Sequence, residues 1–215
     1  MMLPSSDSMD TAACINGLDV EGGGDVEAPG HTMSLQEYFA TPFYVLLLRR
    51  LPWLVGLLLL QSFSASILHG YDEYLNTHMI FSFFIPMIVG TGGNAGNQCS
   101  VMVTRALALG MSDREVLRVV RKESPTALLT GLILALFAFL RVVLEYPDDK
   151  TEAAAIAITL GVSIILSIAL GIMFSYGIGK MNRCDPADGA APLLTTISDL
   201  IGIGLLCGIA TSMVP

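Results

Sequence analysis

The chain has 215 residues, 53% of them hydrophobic and 14% charged, with a mean hydropathy of +0.66. That is far more apolar than a soluble domain needs to fill a core, which excludes a soluble protein and leaves little length outside membrane spans. The net charge of -8 carries no partner signal and implies no nucleic acid, because seven acids (Asp7, Asp10, Asp19, Glu21, Asp25, Glu27 and Glu37) precede the first Lys or Arg, at Arg49.

Residues 1–33 hold most of those acids, Gly22-Gly-Gly24 and few large apolar side chains, the composition of a disordered, acidic cytoplasmic tail. They lack the basic and apolar regions of a signal peptide and the Arg-rich character of a transit peptide. Residues 34–50 mix Gln36, Glu37 and Tyr38 with an apolar run and Pro42, and are predicted to form an amphipathic segment at the cytoplasmic face. The first span covers about 51–68. Pro52 and Trp53 suit its start, and Gln61, Ser62, Ser64 and Ser66 form a polar stripe suited to interhelical hydrogen bonds rather than to a solute.

A second span, 79–109, is interrupted by small and amide residues. Ser112-Asp-Arg-Glu115 then reads as the capped start of a short cytoplasmic helix, and Glu123 at its end is expected to pair with Arg105, Arg121 or Lys122. Spans at 125–144, 153–179 and 190–213 complete the chain. In the fourth, Gly161, Gly171, Gly177 and Gly179 with Ser163 and Ser167 are small-residue contacts for close packing. The predicted fold is all-α, a polytopic membrane protein with five transmembrane helices per subunit.

Basic residues orient it. Arg49, Arg50, Arg105, Arg114, Arg118, Arg121, Lys122, Lys180 and Arg183 fall on one side, and Arg141 and Lys150 on the other. Lys and Arg are retained in cytoplasmic loops, so the N-terminus is expected in the cytoplasm and the C-terminus outside. Cys14, Cys99, Cys184 and Cys207 form no CxxC pair, and His31, His69 and His78 are scattered, so neither a disulfide framework nor a zinc site is implied. There is no HExxH, no P-loop and no serine or cysteine nucleophile paired with histidine, which argues against an enzyme.

Two places carry polar chemistry inside spans. The run Gly90-Thr-Gly-Gly-Asn-Ala-Gly-Asn-Gln98 follows Pro86 in span two. Polar groups at bilayer depth are tolerated where they are buried in protein or line a wet cavity. Helix packing would account for Gly92, Gly93 and Gly96 but not for Asn94, Asn97 and Gln98 together. In span five, Asp199 lies inside an apolar segment with Thr195 one turn earlier, Ser198 and Gly202 beside it, and no Lys or Arg on the same span. An uncompensated acid at mid-helix costs about 2.5–3.5 kcal/mol on insertion scales, so it should face protein, water or a cation. A protonated carboxyl bonded between helices is one reading; an ionised carboxylate facing a cation path is the favoured one. Amides, freed carbonyls and a carboxylate are hard oxygen ligands, which favour magnesium or calcium over zinc or copper. Magnesium keeps several waters, so Asn97 and Asp199 could bind the water shell, and a two-fold dimer about the path would bring a second carboxylate.

These residues, with Arg105-Ala-Leu-Ala, Arg118-Val, Lys122-Glu123, Gly70-Tyr-Asp-Glu and Asp185-Pro through Pro192-Leu-Leu-Thr-Thr-Ile-Ser-Asp199-Leu-Ile-Gly, make the chain from about Arg50 onward resemble the membrane domain of the MgtE family of magnesium channels and transporters, to which animal solute-carrier relatives belong. The resemblance implies a homodimer with an ion path built from spans two and five. It makes Asp199 the holder of a hydrated Mg2+, Asn97 a contact to its water shell, and Thr91, Gly93 and Thr195 the backbone that completes the metal site. Asn94, Gln98, Gly92, Gly96 and Ser198 are candidate pore-lining residues. Ala191 stands where many bacterial members have Asn, which implies a thinner cage. Bacterial members also carry cytoplasmic magnesium-sensing domains absent from these residues, so gating is expected to differ.

The leading expectation is therefore magnesium transport across a membrane, most simply the cell membrane, with Mg2+ as the transported ion, no cofactor, and the lipid bilayer and a second copy as partners. The alternatives are a sodium-coupled exchanger or efflux carrier on the same scaffold and, in another class, a non-transporting membrane adaptor that docks through its tail.

Overall fold

The computed structural model describes residues 39–180 and 186–214. The acidic tail with Cys14 and His31, the start of the 34–50 segment, and the loop with Arg183 and Cys184 lie outside the described residues. In chain order the helices are α1 (Phe43–Gly70), the short α2 (Asp72–Thr77), α3 (Met79–Ala108), α4 (Asp113–Glu145), α5 (Lys150–Lys180) and α6 (Pro186–Met213), with no strand among the described residues. All but α2 contain a stretch long and apolar enough to cross a membrane, five in all, as the sequence predicts.

Two boundaries differ from the sequence reading. The first span's helix starts at Phe43, so most of the described part of the 34–50 segment is continuous with it rather than a separate interfacial element. Likewise, the segment that begins at Ser112 and the third span are one helix, α4. Its start is capped as expected, the Ser112 N–H donating to the Glu115 carboxylate at 2.8 Å. Pro125 does not break it, although proline removes one backbone donor. The hydroxyls on either side of it bond carbonyls one turn back, Ser124 Oγ to Val120 O at 2.7 Å and Thr126 Oγ1 to Lys122 O at 3.0 Å.

α5 is the central element. It packs along α3, α4 and α6, while α6 also packs on α3, and the one extended seam of α1 is with α6. Contact between α3 and α5 is close because small residues meet at intervals of four. A Cβ on Gly92 would lie 2.9 Å from Ser163 Oγ, one on Gly96 would lie 2.8 Å from the Ser167 carbonyl oxygen, and one on Gly171 would lie 2.5 Å from the Gly96 carbonyl oxygen. One turn further, Ser100 and Ser175 share a buried hydroxyl hydrogen bond of 2.7 Å. The partners ascend together along both chains, so the two helices run parallel, crossing as small-xxx-small pairs do in membranes. Gly131 and Gly161 bring α4 against α5 in the same way, a Cβ on Gly131 falling 3.0 Å from the Gly161 carbonyl oxygen.

Side chains around α2 tie neighbouring helix ends together. The Tyr74 hydroxyl donates to the Val214 carbonyl at 2.9 Å, and the Tyr74 ring stacks on Phe81. His78 Nδ1 lies 3.8 Å from Glu152 Oε1, which gives this histidine a partner in α5. Burial, and behind it the Glu152 carboxylate, pushes the Tyr74 phenol above its ordinary value. Arg141 bonds Glu145 and sits 5.9 Å over the Phe84 ring.

Replacing Gly171 by Val forces a side chain into the Gly96 backbone, and overpacking of this kind costs roughly 1–3 kcal/mol. Thermal denaturation in detergent should show Gly171→Val clearly destabilised, while Gly177→Ala, with open space at its Cβ, stays near wild type.

Candidate functional site

Three stripes of α3, each with a spacing of four, divide its polar run. Gly92, Gly96 and Ser100 are buried against α5. Gly93 and Asn97 turn toward α6: a Cβ on Gly93 would lie 3.5 Å from Thr195 Cγ2, and Asn97 Nδ2 donates to Thr195 Oγ1 at 3.0 Å. Gly90, Asn94 and Gln98 are exposed on the third stripe. A helix places residues i and i+4 on one face, so a single glycine-amide run meets three environments at once.

The α6 side is organised around the same hydroxyl. Thr195 Oγ1 accepts from Asn97 and donates to the Ala191 carbonyl at 3.0 Å. That uses one of the two N–H donors of Asn97, whose Oδ1 is buried without a hydrogen-bond partner. A buried carbonyl oxygen without a donor is uncommon, and Asn97 Oδ1 shares this state with the hydroxyls of Ser64, Ser163 and Ser198. Asp199, one turn beyond Thr195, is partly exposed. Among the described residues the ion pairs are Arg141 with Glu145 and His78 with Glu152, so no Lys or Arg neutralises Asp199. Its carboxylate receives one hydrogen bond there, from Gln61 Nε2 of α1 to Oδ2 at 3.3 Å.

The structure thus brings together Asp199, Thr195, Asn97 and Gly93. Thr91 is partly exposed, and Asn94 and Gln98 lie on the exposed stripe. Gly92 and Gly96 face α5, where contact with Ser163 and Ser167 accounts for them. Ser198 is 2% exposed and its Oγ is unpartnered. Gln61 makes the interhelical bond its stripe suggested; that its partner is Asp199 had no signal in sequence spacing, since the two are 138 positions apart. Glu123 is a correction: no ion pair joins it to Arg105, Arg121 or Lys122 among the described residues. It lines a groove of about 380 Å³ between α4 and α5 with Ser124, Ile168 and Met173, because continuation of α4 through Pro125 fixes it on the side facing α5.

The MgtE family model, described as a divalent cation transporter, matches residues 85–209. Among curated relatives, the magnesium transporter MgtE of Thermus thermophilus is 35% identical over 168 residues, 76% of this chain and 36% of that protein. The magnesium transporter MgtE of Bacillus subtilis is 29% identical over 178 residues, 82% of this chain and 39% of its own length. That of Enterococcus faecalis is 30% identical over 164 residues, 76% and 36% respectively. The chain spans less than two fifths of the relatives it matches.

A double-mutant cycle over Asn97→Ala and Thr195→Ala checks the α3–α6 bond. Interhelical hydrogen bonds in membranes couple by about 0.6 kcal/mol on average and by up to about 1.7. Coupling in that range is expected from unfolding in bicelles; strictly additive effects would mean that the two side chains act independently.

Proposed function

The chain belongs to the MgtE family of divalent cation transporters, and on that premise we propose that it carries magnesium across the membrane. The observation that carries this reading is the Asp199 carboxylate: membrane-embedded, partly exposed, without a basic partner among the described residues, and one helical turn from the Asn97–Thr195 bond. In an apolar surrounding an ionised carboxylate needs a cation or water beside it.

The path runs along α3 and α6. Asp199 holds a hydrated Mg2+ through its waters, Asn97 Oδ1 accepts from the same water shell, and the backbone near Thr91, Gly93 and Thr195 completes the site. Magnesium suits it because this ion surrenders its waters reluctantly and is held through a few oxygen groups rather than an all-protein cage. Calcium would call for more direct oxygen ligands than these helices offer.

One carboxylate per chain is little charge for a divalent ion. The exposed Gly90, Asn94 and Gln98 stripe supports a homodimer, since amides on an outer face of a membrane span are disfavoured against lipid. A second copy across that stripe contributes another Asp199 and closes the path. The N-terminus is cytoplasmic and the C-terminus outside, with the cell membrane as the site of action. The second reading, a sodium-coupled exchanger on the same scaffold, uses the same Asp199.

Liposomes loaded with a magnesium dye and holding purified protein separate these outcomes. Wild type should pass Mg2+ down its gradient without sodium, and Asp199→Ala should reduce the flux at least tenfold, a loss of about 1.4 kcal/mol or more. A requirement for sodium would favour the exchanger, and equal flux in wild type and mutant would remove Asp199 from the path.

A further inference from the structure

We infer that Gln61, on α1, is a positioning residue of the ion site, and that α1 therefore forms part of the path rather than a peripheral strut. This rests on the transport reading above.

α1 packs along α6, and over residues 57–68 its less exposed positions are Leu57, Leu60, Gln61, Ser64, Ile67 and Leu68, while the rest of these turns are exposed. Leucine and isoleucine would suffice to hold such a seam. At the depth of Asp199 it is polar instead: Gln61 donates to Asp199 Oδ2, and one turn further Ser64 is 6% exposed with an unpartnered Oγ. An aspartate side chain alone can rotate about its own bonds, and neither Asn97 nor Thr195 donates to it among the described residues. Gln61 is the group that fixes it.

A carboxylate has about four lone-pair sites. One Gln61 N–H occupies one of them and leaves the others for the waters of a hydrated cation, so the amide orients the acid without displacing the ion's shell. It also supplies a neutral donor, which steadies the charge without cancelling the negative potential that a cation needs. A Lys or Arg at position 61 would cancel it.

Gln61→Met keeps length and bulk and removes the donor. Because a hydrogen bond to a charged group is among the stronger ones, the Mg2+ concentration for half-maximal flux in liposomes should rise roughly ten- to a hundredfold, with maximal flux within about threefold of wild type. Gln61→Asn keeps the amide but is one methylene short of a contact already at 3.3 Å, and it should shift the same way; it serves if the Met variant does not fold. Ser64→Ala, on the same seam, should leave half-saturation unchanged. Stabilisation of the purified protein by Mg2+ in thermal denaturation gives a readout independent of transport, and its dependence should move to higher Mg2+ in both Gln61 variants. An unchanged half-saturation in a folded Gln61 variant would overturn the inference, and so would a lower one, since the amide would then be competing with the ion. Failure of the transport reading is distinguished by Asp199→Ala, which would then leave flux intact.

Discussion

Everything at the site depends on how closely α3 approaches α5. At Gly96 and Gly171 the two backbones come within a distance at which neither helix can carry a side chain. This contact turns one face of α3 away permanently, and with it fixes the rotation of the whole helix about its axis. Asn97 then follows Gly96 by about 100° and meets α6, while Asn94 falls on the third side. Without a hydrophobic force between helices in lipid, such small-residue contacts are the main source of close packing, so rotation of the polar run is set by glycine and serine rather than by the amides themselves.

The same device positions α6. A Cβ on Gly202 would lie 3.4 Å from Ser163 Oγ and 3.5 Å from Ile88 Cγ2, so α6 settles into the valley between α3 and α5. Ser163 is nearly inaccessible and its hydroxyl is unpartnered, an uncommon state for a buried polar atom. Its small size is what the junction uses. Asp199 and Thr195, one turn apart on the same side of α6, then meet Gln61 of α1 and Asn97 of α3, so that one face of α6 is shared by two neighbours.

The spans, their order and their polar residues were legible because hydropathy and length are local properties of a chain. Which neighbour each face meets was not. Gly92 and Gly93 are adjacent and identical in type, yet one packs on α5 and the other looks at α6. The expected break before Pro125 is absent, α4 running through it from Asp113 to Glu145. Glu123 follows from that continuity: with no hinge ahead of the third span, it is held over a groove rather than free to reach Arg105. Acidity, glycine content and amide spacing at the site could be read directly, whereas the link from Gln61 to Asp199 joins the first span to the last and has no periodic trace.

That link also bears on biogenesis. During synthesis α1 enters the bilayer with Gln61, Ser62, Ser64 and Ser66 already in its sequence, and the acid that bonds Gln61 is made 138 residues later. Ser62 and Ser66 bond carbonyls of α1 itself, but until α6 arrives the Gln61 amide has no Asp199 to meet. The bond between Gln61 and Asp199 therefore forms only after the three intervening spans have been made, when α6 docks against α1.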